Sequence, residues 1–153
     1  MTEQPFMRIG RKNMKLLIDT NILMDFIKQR EPFFEDSKEI LSLCSERTAE
    51  GYVAVHSIPT LYYLLRKDFS ENERRRWICD ICRILQVAGF DTEAAVKSAE
   101  NIDFRDFEDC LQAECAKAVG AEYIVTRNTD DFSESPVPAV TPAAILKILE
   151  EKA

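Results

Sequence analysis

The sequence predicts an α/β fold in three layers, in which a central, mainly parallel sheet is covered by helices on both faces. Two observations predict it. Short apolar runs rich in β-branched residues alternate along the chain with longer segments whose apolar residues recur at helical spacing. Capping residues, proline or glycine separate most of these segments. Strands that alternate with helices form βαβ units, whose strands lie parallel and are buried on both faces.

The chain is predicted to begin its folded part with a buried strand. Residues 15–18 (KLLI) are apolar and meet a polar Asp-Thr-Asn, after which apolar residues return at helical spacing. Pro32 separates this helix from a second one, which is expected to end before Gly51. Residues 52–55 alternate like a strand, so the first unit is predicted to be strand, two helices, strand.

Two capped helices are predicted next. Ser57 is expected to cap a helix that has Pro59 in its first turn and continues to about residue 67. Ser70 is expected to cap the following helix, with Glu73 completing a capping box. Residues 84–87 then return as a strand.

The second half repeats the alternation. A helix is predicted from about Thr92 to Asn101, and another opens near Asp106 and ends at Gly120. The remaining elements are strands over 122–126 and 137–140 and a C-terminal helix that starts at Thr141-Pro142.

Size and composition indicate one globular domain. The chain has 153 residues, of which 46% are hydrophobic and 31% charged, with only 4 Gly and 6 Pro. Residues 14–153 are assigned to a single domain, and residues 1–13 show no pattern and are interpreted as an N-terminal extension. No apolar run reaches the ~20 residues that span a bilayer, so a cytoplasmic location without membrane contact is expected. The cysteine count of 5 is odd, which favours reduced core residues over a disulfide framework.

Charge is unevenly distributed along the chain. The formal net charge of -7 argues against tight, non-specific binding to nucleic acid, although residues 66–76 carry a basic stretch. That stretch is also what a solvated helix face looks like. Acidic residues crowd positions 100–114, and such a concentration suits a hard cation such as Mg²⁺ or Mn²⁺.

Three segments bring carboxylates to the same predicted edge of the sheet. Asp19 directly follows the first strand, Asp106 and Asp109 lie three residues apart at the start of a helix, and residues 126–131 (TRNTDD) follow the EYIV strand. Each segment taken alone has a local explanation, as a helix cap or an ordinary turn. Their shared location favours a divalent cation, because repelling carboxylates are costly unless a cation lies among them.

Together these segments resemble the PIN-domain family. The matching text is LLIDTNILMDF, DFEDCLQAECAKAVGAEYIVTRNTDDF and VTPAAIL, and the resemblance covers nearly the whole chain from Met14. It implies a five-stranded parallel sheet flanked by helices and, by analogy with VapC-type toxins, a ribonuclease dependent on Mg²⁺ or Mn²⁺. Such toxins pair with an antitoxin, and a homodimer is also expected.

The resemblance assigns the site residue by residue. It places the metal on Asp19 and Asp109. The last acidic or amide residue of the family's site falls on Asn128 or Asp131, and both are candidate catalytic residues. Asp106 is an additional catalytic candidate. Asn21, Thr60 and Thr126 are the candidate substrate-binding residues. Thr60 stands where the family usually carries a glutamate.

Other functions have weaker support. The missing glutamate and the net acidity suggest an alternative, a catalytically weakened PIN-fold module that binds RNA or protein. A phosphatase would need a second carboxylate at position 21, where the chain has Asn. Cys79 and Cys82 form a CxxC pair without a second metal-binding pair, and no phosphate-binding glycine motif occurs. His56 is a minor candidate for proton transfer.

Overall fold

Five parallel strands form one sheet in the order β3-β2-β1-β4-β5, as the computed structural model shows for residues 13–152. The strands are β1 (Met14–Ile18), β2 (Ala49–Ala54), β3 (Gln86–Ala88), β4 (Tyr123–Val125) and β5 (Ala139–Val140). The predicted fold class is therefore confirmed. The predicted N-terminal extension lies almost wholly outside the described residues.

Seven α-helices connect and flank these strands within the described part of the chain. They are α1 (Thr20–Ile27), α2 (Phe34–Ser45), α3 (Ser57–Leu64), α4 (Glu71–Ile84), α5 (Thr92–Glu100), α6 (Phe107–Val119) and α7 (Pro142–Lys152). Short 3-10 turns occupy Leu65–Lys67 and Thr129–Phe132. No helix in residues 13–152 is both long and apolar enough to cross a membrane.

The sheet separates two hydrophobic cores, as expected when successive strand residues point to opposite faces. Leu16 and Ile18 of β1 pack into the larger core with residues from α1, α2 and α4. Leu17, between them, faces the second core, which is built mainly on α6. The result is the predicted three-layer arrangement.

The chain order creates a crevice between β1 and β4. From β1 the chain builds β2 and β3 on one side, and it then returns to the other side of β1 to form β4. The Asp19 amide continues this pairing by donating to the Val125 carbonyl at 3.0 Å. Ligands of such sheets bind where the direction of strand addition changes, at the carboxyl ends of the strands.

Helix boundaries follow the predicted capping residues with one exception. Ser70 and Glu73 form the reciprocal capping box, and Gly120 ends α6 in a left-handed conformation. The prediction for Ser57 is wrong, because α3 already includes Ser57 and follows His56, whose side chain makes no capping bond. Ser57 is a buried residue of the first turn of α3 and not the residue before the helix.

Gly51 lies inside β2, which begins three residues earlier than the predicted strand at Tyr52. A Cβ atom there would lie 2.5 Å from the Leu85 Cδ2 atom and 2.6 Å from the Cys44 Sγ atom. Because Cys44 of α2 and Leu85 press on this strand, the position excludes a side chain. Glycine is required here by close packing and does not end the preceding helix.

The interpretation of all five cysteines as core residues is wrong for two of them. All five are free thiols, and Cys44, Cys110 and Cys115 are buried. Cys79 and Cys82 are exposed, because α4 turns Ile81 toward the core and leaves both neighbouring thiols on its outer side.

Candidate active site

Asp19 lies at the carboxyl end of β1 and caps α1. It is 8% exposed, yet both carboxylate oxygens are hydrogen-bonded. Oδ1 accepts from the Thr20 amide at 2.7 Å and from the Gln112 Nε2 atom at 2.8 Å, and Oδ2 accepts from the Thr126 hydroxyl at 2.7 Å. These three hydrogen bonds fix the orientation of the Asp19 carboxyl group in a nearly enclosed position.

Thr126 joins the two strands of the crevice. It follows β4, is fully buried, and donates its hydroxyl hydrogen to Asp19. The same oxygen accepts from the Asn21 Nδ2 atom at 3.3 Å and from the Asn128 amide at 3.0 Å. The sequence-predicted residues Asn21 and Thr126 therefore belong to one network with Asp19, whereas the Asn128 contribution comes from its backbone.

The first turn of α6 brings two more carboxylates to this edge. Asp106 caps the helix by accepting from the Asp109 amide at 2.9 Å. The pKa of Asp109 is raised to about 7, first by partial burial and then by the negative charge of neighbouring carboxylates. In decreasing order of effect these neighbours are Asp106, Asp19, Asp131 and Glu108. These five residues are called the acidic cluster.

Asp131 is tied to the same region by an ion pair. The Arg105 guanidinium, one residue before the α6 cap, donates to the Asp131 carboxylate at 2.8 Å. Below this pair, the rings of Phe104 and Phe132 are buried and meet edge to face at 6.3 Å. This aromatic contact packs the loop before α6 against the loop after β4, and it thereby positions the neighbouring Arg105 and Asp131.

Thr60 does not take part in this network. Its hydroxyl donates at 3.0 Å to the carbonyl of His56, within its own helix. The ring of His56 is half-buried, and its Nε2 atom lies 3.0 Å from the Glu108 carbonyl oxygen. Both contacts are with backbone, which is what ordinary structural roles predict for these two side chains.

Sequence reasoning missed Gln112, which is buried and donates directly to Asp19. It lies one helical turn after Asp109, on the side of α6 that faces the second core. A glutamine among Leu111, Ala113 and Cys115 was the available signal, because a buried amide needs polar partners.

Asp25 and Arg127 form a second feature that the sequence reasoning missed. Asp25 is fully buried on α1, and the Arg127 guanidinium contacts its two oxygens at 2.6 and 3.3 Å. Arg30 approaches the same carboxylate at 3.5 Å, and the Arg127 guanidinium lies 4.1 Å from the centre of the Phe33 ring. This buried ion pair fixes the residue that directly follows Thr126.

The donor atoms at this edge fit a small, hard cation. Within residues 13–152 no three His, Cys, Asp or Glu side chains are arranged as a ready metal site. Two side chains of the Asp19 network, Asn21 and Gln112, nevertheless carry buried amide oxygens that have no hydrogen-bond partner among the described residues. Mg²⁺ binds oxygen atoms, uses one or two carboxylates and retains several waters, so this oxygen set suits it.

The raised pKa of Asp109 predicts an unusual dependence of stability on pH. Between pH ~4 and pH 7 the folded chain binds more protons at Asp109 than the unfolded chain, so the free energy of unfolding falls as pH rises. Asp109→Asn removes this penalty. With a chelator present, we expect the variant to match the wild type near pH 4 and to exceed its stability at pH 8 by on the order of 2 kcal/mol.

Urea unfolding at the two pH values measures this difference. Asp103→Asn, on the neighbouring exposed loop, is the control for removing one negative charge. Equal shifts for Asp109→Asn and Asp103→Asn at pH 8 would contradict the expectation.

Comparison with known proteins agrees with this architecture. The family model of the PIN domain matches residues 15–130. Ribonuclease VapC1 of Aquifex aeolicus (strain VF5) is 24% identical over 123 residues, which cover 78% of this chain and 85% of that protein. The structure of VapBC2 from Rickettsia felis, bound to a DNA fragment from their promoter, matches with a TM-score of 0.64 and 18% identity over 84% of this chain and 98% of that chain.

A further structure, FitAcB from Neisseria gonorrhoeae, matches with a TM-score of 0.64 and 20% identity, covering 84% of this chain and 98% of that chain. At these identities the solved structures support the fold alone. The family match spans most of the chain and includes Asp19, Asp106, Glu108 and Asp109 of the acidic cluster, whereas Asp131 lies one residue beyond it. The chain belongs to the PIN-domain family.

Proposed function

We propose that the protein is a metal-dependent endoribonuclease that hydrolyses RNA phosphodiesters at the acidic cluster. The observation that carries this proposal is that the charge of Asp19 acts on Asp109 at the edge where β1 and β4 end, while Asn21 and Gln112 of the same network keep buried amide oxygens without a hydrogen-bond partner in residues 13–152. The similarity to Ribonuclease VapC1 supports the choice of RNA as substrate.

In this mechanism Asp19 and Asp109 would hold one or two Mg²⁺ or Mn²⁺ ions. A bound ion of this kind polarises a phosphate and lowers the pKa of an attacking water. Three donors hold the Asp19 carboxyl group in place, and the amide oxygens of Asn21 and Gln112 are buried without a hydrogen-bond partner among the described residues.

The remaining residues have supporting roles in the proposal. Thr126 fixes the orientation of the Asp19 carboxylate, and Asp106 fixes the first turn of α6 through the Asp109 amide. Asp131 and the Asn128 segment form the outer shell on the β4 side. Outer-shell partners of this kind orient ligands and tune their affinity.

A weakened PIN-fold module that binds RNA or protein is the alternative. The observation that favours it is Thr60, which occupies the expected glutamate position and donates only to its own helix. In α3 the first turn contains no acidic residue. A metal ion at this site would then have carboxylate ligands from Asp19 and Asp109 alone.

An RNA-cleavage assay decides between these functions. We expect the purified protein to cut a single-stranded RNA in Mg²⁺ or Mn²⁺, to stop when EDTA is added, and to leave a small phosphate ester intact. Binding of the RNA without metal-dependent cleavage would instead support the weakened module. Turnover of the phosphate ester would favour a phosphatase.

We also propose that the chain is the toxin of a toxin–antitoxin pair and forms a homodimer. The support is that similar structures are described as VapBC and toxin–antitoxin complexes. Phe33 and Tyr63, two of the aromatic residues available for such surfaces, are exposed on the single chain. Light scattering at several concentrations tests the dimer, and a strictly monomeric protein would refute it.

The basic stretch at residues 66–76 is remote from the Asp19 of its own chain. Asp68 pairs with Lys28 at 2.8 Å, and Lys28 lies at the end of α1 opposite Asp19. An eight-residue helix such as α1 is about 12 Å long. A role for this stretch on the rim of a site therefore depends on the second protomer of the proposed dimer.

A further inference from the structure

A nuclease site made of carboxylates must still attract a polyanion. Apart from bound cations, the acidic cluster presents negative charge to any phosphate that approaches it. The neighbouring loop residues Asp103, Asp130 and Glu134 add to this field. Some basic group close to the cluster is needed to hold the backbone of the RNA beside the reacting bond.

Two arginines lie at this edge, and burial separates their roles. The Arg127 side chain is only 26% exposed and is paired with the fully buried Asp25. Its release would leave a buried carboxylate without its closest partner, which is strongly unfavourable. Arg127 is therefore a structural cation that cannot exchange Asp25 for a phosphate.

Arg105 has the opposite surroundings. Its side chain is 75% exposed, and its Nη2 atom donates a hydrogen bond to the Asp131 carboxylate. An exposed ion pair contributes little to stability, and a guanidinium carries five N–H donors, so most of them remain free for another anion. In residues 13–152, no other Lys or Arg forms a salt bridge with the acidic cluster.

The backbone position of Arg105 is fixed although its side chain is largely exposed. It lies between the buried ring of Phe104 and the α6 cap Asp106, and Phe104 packs on Phe132 next to Asp131. The guanidinium therefore lies at the border of the acidic cluster, on a backbone segment that the Phe104 ring anchors. An arginine in this setting matches the paired oxygens of a phosphodiester.

We propose that Arg105 is a substrate-binding residue, which contacts a phosphodiester of the RNA backbone next to the bond that is cut, while Asp131 orients its guanidinium. This inference rests on the proposed ribonuclease function and adds the residue that recognises the substrate backbone. Asp131 then orients the arginine in addition to its place in the outer shell.

The test compares Arg105→Gln with Arg83→Gln as a matched control. Arg83 is also 75% exposed and also pairs with one aspartate, Asp80, but it lies on α4. For Arg105→Gln we expect the KM for single-stranded RNA to rise about tenfold with kcat within about threefold of the wild type. The slope of log(kcat/KM) against log[salt] should become shallower by about 0.7, the value for one phosphate contact on a single strand.

Asp131→Asn distinguishes two roles of Arg105, the binding of a phosphate and the simple support of the Asp131 side chain. If Arg105 binds phosphate, Asp131→Asn retains the wild-type salt slope, and Arg105→Lys recovers part of the lost KM. If Arg105 serves only to hold Asp131, both Arg105→Gln and Asp131→Asn lower kcat alike, and the inference is overturned.

Anisotropy of a labelled RNA in EDTA gives a second measurement that does not require cleavage. Arg105→Gln is expected to bind more weakly than Arg83→Gln there as well. Wild-type cleavage combined with identical behaviour of Arg105→Gln and Arg83→Gln would reject the role of Arg105 alone. A wild type that neither cuts nor binds RNA would reject this inference together with the proposed function.

Discussion

Asp19→Asn is expected to lower the rate of metal-dependent RNA cleavage by at least about 100-fold, because it removes the charge of a proposed cation ligand while adding no bulk. Loss of an outer-shell partner already costs about 10- to 100-fold in metal affinity or activity, so loss of a ligand charge should exceed that range. The measurement is the initial rate on single-stranded RNA in Mg²⁺ and in Mn²⁺.

The fold is expected to survive this substitution for a reason visible in the hydrogen bonds. The single carbonyl oxygen of Asn can replace Oδ1, which accepts from Thr20 and Gln112. The new amide group then faces the Thr126 hydroxyl, which can accept from it by giving up the longer contact with Asn21 Nδ2 at 3.3 Å. A circular dichroism melt close to that of the wild type would support this reading.

Two other variants calibrate the loss. Asp106→Asn should reduce the rate less than tenfold, because an amide oxygen still accepts from the Asp109 amide and caps α6. Asp68→Asn, at the remote pair with Lys28, should leave the rate unchanged.

If Asp19→Asn retained wild-type cleavage with contaminating nuclease excluded, the assigned site would be rejected. A larger loss in Asp106→Asn than in Asp109→Asn would mean that the roles on α6 are reversed.

Asp25→Ala should lower the free energy of unfolding by about 3 to 5 kcal/mol, which is the usual effect of removing one partner from a buried ion pair. The substitution leaves the largely buried Arg127 without its partner and opens space beneath α1. Because Arg127 directly follows Thr126, loosening it should also disturb the orientation of Asp19. Urea unfolding measures the first effect, and the cleavage rate at low temperature, where the variant is folded, measures the second.

An exposed ion pair supplies the control for Asp25→Ala. Asp80→Ala breaks the pair with Arg83 on the outer side of α4 and should change stability by less than about 1 kcal/mol. The interpretation of Asp25 as the anchor of the β4 loop requires a clear difference between these variants. Equal effects, or a loss below 1 kcal/mol for Asp25→Ala, would show that Arg127 finds other partners.

Local sequence signals determined the order of the elements and the address of the site. The apolar run before Asp19, the capping box of Ser70 and Glu73, and Gly120 after α6 each act over a few residues, so the chain alone reveals them. Because parallel strands end at one edge, the order of the elements predicted that Asp19 and Asp131, which follow strands, lie there, and the resemblance to the PIN-domain family added Asp109 and Asp106 at the start of α6.

Tertiary contacts decided how these side chains are used. Gln112 reaches Asp19 across 93 residues and Arg127 reaches Asp25 across 102, separations that no local pattern encodes. The same contacts distinguish Arg127 from Arg105, which are alike in sequence but differ in burial. They also place Cys79 and Cys82 outside the core and turn the Thr60 hydroxyl toward its own helix. The sequence by itself determined the fold class and which edge carries the carboxylates. Packing between distant segments decided which polar groups are desolvated and paired, because desolvation depends on neighbours that the chain brings together only when it folds.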